Sequence, residues 1–198
     1  MARPHPWTPR QRLRRDLLLL VASFGGLIAL GLAVALPGIY GMHAARAYVA
    51  GEGLYSKAQK RAVFHLSRYA ITGDPREWNA YHEAIAIPHA DARAREALER
   101  DPPERAAAAS AFVEAGNHPD DVRGLITLFA WARWIPEMRQ AIAAWEEGDR
   151  HVVRLDATAV ALHDARRGDP PDAGRVLALL AEVDTIDAEL TRHEDRFS

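Results

Sequence analysis

The chain has 198 residues, a formal net charge of −2, 48% hydrophobic residues and no cysteine. Without cysteine there is no disulfide framework, thiolate ligand or thiol nucleophile, and the mildly acidic main part lacks the basic surface that nucleic-acid binding requires. The charge is also unevenly placed. Residues 1–16 hold five arginines (Arg3, Arg10, Arg12, Arg14 and Arg15) against one acid, Asp16, and leave the remainder net acidic.

From Leu17 to Met42 no charged residue occurs. A spanning helix needs about 20 mostly apolar residues, so 17–42 is predicted to be a transmembrane helix. With arginines on one flank only, residues 1–16 are predicted to form a cytoplasmic basic N-terminus, and residues 44–198 an extracytoplasmic domain. This places the protein in the inner (cytoplasmic) membrane with its main domain periplasmic. The rival is a cleavable signal peptide, for which Ala33-Val34-Ala35 resembles a cut site. Signal h-regions usually run about 7–15 residues, however, and this one is longer.

The roughly 155 residues that follow are enough for one ordinary domain. Their periodicity is helical, and the fold predicted is all-α: an antiparallel bundle after the N-terminal helix. A long helix over Ala44–Thr72 carries Tyr55, Ala62, Leu66 and Tyr69 on one face. Gly73-Asp74-Pro75 reads as helix stop, N-cap and first helical position. A second helix turns Trp78, Tyr81, Ile85 and Ile87 inward until Pro88 kinks or breaks it. Its charged continuation, Ala90–Arg100, reads as exposed. Asp101-Pro102-Pro103 opens a short Ala-rich helix to Ala115, and His118-Pro119-Asp120-Asp121 opens another, its acids in the first turn where the helix dipole favours them. Phe129, Trp131, Trp134 and Trp145 are expected in the core or along a small-molecule pocket. Past Pro136, the positions Trp145, Gly148, Val152, Leu155, Ala159 and Leu162 alternate three- and four-residue steps. Gly168-Asp169-Pro170-Pro171 is a sharp turn, and the last helix carries Val176, Leu179, Val183, Ile186, Leu190 and Phe197 at nearly heptad spacing. That helix reads as still running at Ser198, as in a protein continuing into a second membrane helix.

No phosphate loop, dinucleotide fingerprint, zinc spacing or nucleophile elbow is present, so no catalytic residue and no cofactor is assigned. The nine histidines, His65, His82, His89 and His118 among them, show no i, i+4 metal-ligand pair and read as ordinary, partly exposed side chains. Lys57, Arg61, Phe64 and Arg68 share a stripe of the first long helix, with Lys60 beside it. That stripe reads first as a solvated face. Read functionally, it is a site for a small anion, with Arg68 able to make bidentate contacts. Asn117–Asp121 is first a capping sequence, and second a helix end that brings polar groups to a ligand. The candidate ligand-binding set is therefore Lys57, Lys60, Arg68, His118 and Asp121.

Four segments carry a resemblance: Gly51-Glu52-Gly53-Leu54-Tyr55-Ser56-Lys57-Ala58-Gln59-Lys60, Arg68-Tyr69-Ala70 with Gly73-Asp74, Gly116-Asn117-His118-Pro119-Asp120-Asp121, and Trp145-Glu146-Glu147-Gly148-Asp149. They resemble the N-terminal, membrane-anchored helical sensor region of bacterial multidomain signalling proteins of the diguanylate cyclase/phosphodiesterase or histidine kinase type. The resemblance spans about residues 10–198. It implies a periplasmic input domain and brings no ligand or catalytic residue with it. The cyclase-type Gly-Gly-Asp-Glu-Phe loop is missing from this chain. The functional expectation is thus a transmembrane sensor, paired as a homodimer through the first helix, answering a small anionic ligand or a periplasmic protein. The competing expectation is a membrane-anchored structural or protein-interaction module with no signalling output.

Overall fold

The chain reverses direction at Gly73 for a local reason. Gly73 adopts φ +67, a left-handed conformation that a side chain disfavours, and its N–H donates to Tyr69 O at 2.8 Å. Asp74 then caps the next helix, accepting from the Arg76 N–H at 2.9 Å, and Pro75 takes the first helical position, where its missing N–H leaves no donor unpaired. A Cβ built on Gly73 would stand 2.9 Å from Arg166 Nη2. Gly73→Ala is therefore expected to destabilise the fold by about 1–2 kcal/mol, the order of the left-handed penalty. That loss would appear as a fall of a few degrees in the thermal midpoint followed by circular dichroism.

The computed structural model describes residues 9–132, 136–168 and 170–194. Among these are six helices: α1 (Pro9–Thr72), α2 (Pro75–Glu99), α3 (Arg105–Glu114), α4 (Pro119–Ala132), α5 (Pro136–Arg167) and α6 (Ala173–Glu194). The described fold is all-helical. It divides into two units, Met1–Met42 and His43–Ser198. In the first, Leu13–Leu36 is long and apolar enough to cross a membrane, and none of it is buried.

The second unit has two apolar clusters. One joins Ala62, Leu66 and Tyr69 of α1, Tyr81 and Ile85 of α2, Leu155 and Leu162 of α5, and Val183, Ile186 and Leu190 of α6. This is the core of a four-helix bundle, and the tight α1–α2 and α5–α6 turns make those pairs antiparallel. Arg154 ties α5 to α6 from outside, its guanidinium 2.7 Å from Glu182 and 2.6 Å from Glu189. The other cluster joins Ala47 of α1, Ala94, Ala97 and Leu98 of α2, Ala108 and Phe112 of α3, and Val122 and Leu125 of α4.

Most helix boundaries fall where the turn residues place them. Of the expected inward positions Val152, Leu155, Ala159, Leu162, Val176, Val183, Ile186 and Leu190 are buried; Trp134, Asp169 and Phe197 lie outside the described residues, as does the Trp131 side chain. One expectation narrows and one fails. Of the kink or break expected at Pro88, the break does not occur, since α2 runs on to Glu99. Buried contacts on both sides, at Ile85 and at Ala90 and Ala94, hold the helix through the proline. The stretch 90–100 is not an exposed face either: Ala90, Asp91, Ala94, Arg95, Ala97 and Leu98 are all buried, because α3 and α4 fold back over it.

Candidate functional site

Between the two apolar clusters lies a polar layer. On α1 it takes Tyr55 and Gln59, between Ala47 and Ala62; on α2 it takes Asp91 and Arg95, past Ile85; on α5 it takes Asp149, just before Val152. Its centre is Arg95, whose side chain is 10% exposed. Nε and Nη2 donate to Asp149 Oδ2 at 3.1 and 2.9 Å, and Nη1 donates to both Glu99 oxygens at 2.9 and 2.7 Å. Tyr55 Oη donates to Asp149 Oδ1 at 3.4 Å. The approach of α1 to α5 here depends on Gly148, where a Cβ would lie 3.2 Å from Tyr55 Oη.

The layer's charges do not balance. One guanidinium faces Asp149, Glu99 and, at 3.9 Å, Glu146, while Asp91, 7% exposed, adds a fourth carboxyl. Burial and the Asp149 charge push Asp91 up to about 7, against the pull of Arg95. Among the described residues no hydrogen bond supports its ionised form. Burial also raises Asp149, though Arg95 and Tyr55 oppose it, and it raises Tyr55 beside the same carboxylate. One turn from Tyr55, Gln59 is 1% exposed and its Nε2 finds no acceptor among the described residues. Among the described residues, a buried amide without an acceptor is an unusual feature of a folded interior.

A second polar contact joins α2 to α5. Tyr81 Oη donates to Asp156 Oδ1, and His89 Nε2 meets Asp156 Oδ2, both at 2.5 Å. The Asp156 bond raises His89 against its partial burial. Burial alone would raise Asp156, but the His89 and Tyr81 bonds outweigh it and lower the carboxyl. Among the described residues no three His, Asp or Glu side chains are placed to share a metal ion.

The five residues chosen from the sequence do not gather. Lys57 and Lys60 are exposed on α1. Arg68 Nε donates to Glu77 Oε1 at 2.6 Å, and Glu77 also meets His65 Nδ1 at 2.7 Å. The guanidinium meant for an external anion thus already holds an acid of this chain. His118 is exposed, and its Nδ1 accepts from the Asp120 N–H at 3.3 Å, a local turn contact. Asp121 lies 3.7 Å from Arg46. Arg46 and Arg68 are 22 residues apart on one helix, about 33 Å, so one site cannot include both ends.

The four segments of the resemblance fare differently: three of them meet. A Cβ on Gly51 would stand 3.0 Å from Asn117 Oδ1, the Tyr48 and Trp145 rings are 5.5 Å apart, and Tyr55 meets Gly148 and Asp149. Asn117 is a buried cap, its Nδ2 donating to Phe112 O at 3.0 Å. Sequence reasoning missed Asp91, Arg95 and Gln59. The signal for the first two was the small apolar pattern Ala90, Ala94, Ala97 and Leu98 interleaved with them. No protein family, curated protein or solved structure matches the chain.

Proposed function

We propose that the chain is the membrane-anchored sensory module of a transmembrane signalling protein, with its N-terminus cytoplasmic and its helical bundle extracytoplasmic. The observation that carries this reading is the apolar, wholly exposed segment Leu13–Leu36, with five arginines before or at its start against Arg46 alone in the twenty residues beyond it, and followed in the same chain by a helical bundle. The buried ionic layer adds to it. A fold held by apolar contacts alone does not need four carboxyls around one guanidinium, and such buried networks are costly unless fully satisfied.

In this reading, a signal at the bundle changes how α1 and α6 pack. Small shifts between two packed arrangements are an established switching mode, and a ligand drives them only by binding the two with different affinity. The module works as a homodimer paired through the first helix.

The absence of cysteine makes the test direct, since any introduced thiol is the sole one. In a bacterial host, Ser110→Cys, on the exposed face of α3, is expected to react with a membrane-impermeant maleimide in intact spheroplasts. Thr8→Cys is expected to react only after lysis. A labelled product shortened by loss of the N-terminus, or shielding of both positions, would sink the anchored-sensor reading.

A further inference from the structure

Where the α1–α2 turn meets the last turn of α5, a groove of about 530 Å³ opens between Tyr69, Trp78, His163, Arg166, Arg167 and Pro171. Its wall is a stack of rings. His163 lies 4.3 Å from Trp78 at 21° and 5.6 Å from Tyr69 at 24°, centroid to centroid, and Tyr69 Oη is 2.8 Å from His163 Nδ1. Two prolines and Gly73 complete the lining, so most of the surface is apolar. Among the described residues no carboxylate lines it.

Among the described lining residues the charge is all of one sign. Arg166 and Arg167 are adjacent, and among the described residues neither forms an ion pair. Arg166 Nη2 donates to Ile71 O at 3.0 Å, which fixes that guanidinium over the end of α1. Basic residues in a last helical turn also complement the helix dipole. That role needs no groove and no ring stack. The positive field is felt by the neighbours. Burial raises Tyr69 while both arginines pull it back, and burial and then Arg167 push His163 down. The protonated form of His163 is thereby disfavoured, Asp164 opposing the shift.

We propose that this groove binds a small organic carboxylate with an apolar body. The carboxylate meets the guanidiniums of Arg167 and Arg166, and the body lies along the Trp78–Pro171 wall. Guanidinium–carboxylate pairing supplies the orientation, and an apolar concavity with a few convergent polar groups is the usual form of a small-molecule site. The inference rests on the groove alone and not on the membrane topology: failure of the labelling experiment leaves it standing, and its own failure leaves the topology standing.

The test is calorimetric titration of the full chain in detergent micelles with benzoate, benzamide and sulfate. Benzoate is expected to bind at least roughly tenfold tighter than benzamide, which has the body without the charge, and than sulfate, which has the charge without the body. Arg167→Gln, at an exposed position without an ion-pair partner among the described residues, is expected to weaken benzoate roughly tenfold or more with an unchanged thermal midpoint. Arg167→Lys should keep part of the affinity. Trp78→Leu should weaken benzoate and bring it level with sulfate. Benzoate bound no better than benzamide or sulfate overturns the proposal. So does undiminished benzoate binding by a folded Arg167→Gln protein.

Discussion

Asp91→Asn is expected to make the protein more stable above neutral pH and to flatten its stability against pH. The carboxyl stands at 3.8 in the unfolded chain and about 7 in the fold. A raised folded pKa means that the native state binds the proton more tightly than the unfolded state. The native state is therefore favoured below about pH 4, and that advantage is lost progressively as pH rises towards 7. A difference of about three units corresponds to on the order of 4 kcal/mol, at 1.36 kcal/mol per unit. Asparagine matches the protonated form in shape and cannot ionise. No hydrogen bond to the carboxyl is given up, and removing the charge also relieves Asp149. In thermal melts at pH 5 and pH 8, the variant should exceed the wild type by a few degrees at the lower pH and by roughly 10 °C at the higher. An equal loss at both values would mean that Asp91 is a needed acceptor and that no proton is held there.

Arg95→Met is the complementary case, and it should be severely destabilising. Methionine matches much of the stem but leaves Asp149, 16% exposed, without the two N–H donors that offset its burial. Removing one partner of a buried pair typically costs about 3–5 kcal/mol, because the other charge is left uncompensated. Glu99 is less affected, since its half-open side chain can turn to water. A thermodynamic cycle separates the contributions. Adding Asp149→Asn to Arg95→Met should recover part of the loss, because an uncharged amide is less costly to bury than a lone carboxylate. Strictly additive losses in the cycle would show that Arg95 acts through packing of its stem and not through this pair. Arg95→Lys should fall between, because an ammonium cannot serve Asp149 and Glu99 with the same planar fork.

Legibility in the sequence followed the range of the interactions. Gly73-Asp74-Pro75 could be read as a reversal because each residue acts within its own turn: a left-handed φ, a side-chain cap and a proline at the first helical position. The α5 series Gly148, Val152, Leu155, Ala159 and Leu162 was equally visible, since one face of one helix meets one core. Residues 90–100 were misread because Asp91, Arg95 and Glu99 at four-residue steps look the same on a solvated helix and on a covered one. Only α3 and α4, folding back across α2, decide between the two. Arg68 was misassigned for a related reason. Its partner Glu77 sits just beyond the turn, near enough in sequence to have been considered once the reversal at Gly73 was recognised. The Trp78–His163 stack and the pairing of Tyr55 with Asp149 join residues more than 80 positions apart, and nothing local announces them.

The two close approaches on α1 restrict how that helix can travel. Gly51 leaves a hollow filled by Asn117, and one turn later Tyr55 projects into a hollow left by Gly148. A hollow and a projection, one turn apart on the same rod, form a tooth and a notch. A piston stroke of a full turn, about 5.4 Å, would drive the Tyr55 ring into Asn117 or leave its socket at Gly148 empty. The axial register of α1 is therefore locked at this level, and the freedom left to the helix is to tilt or to roll about its own axis.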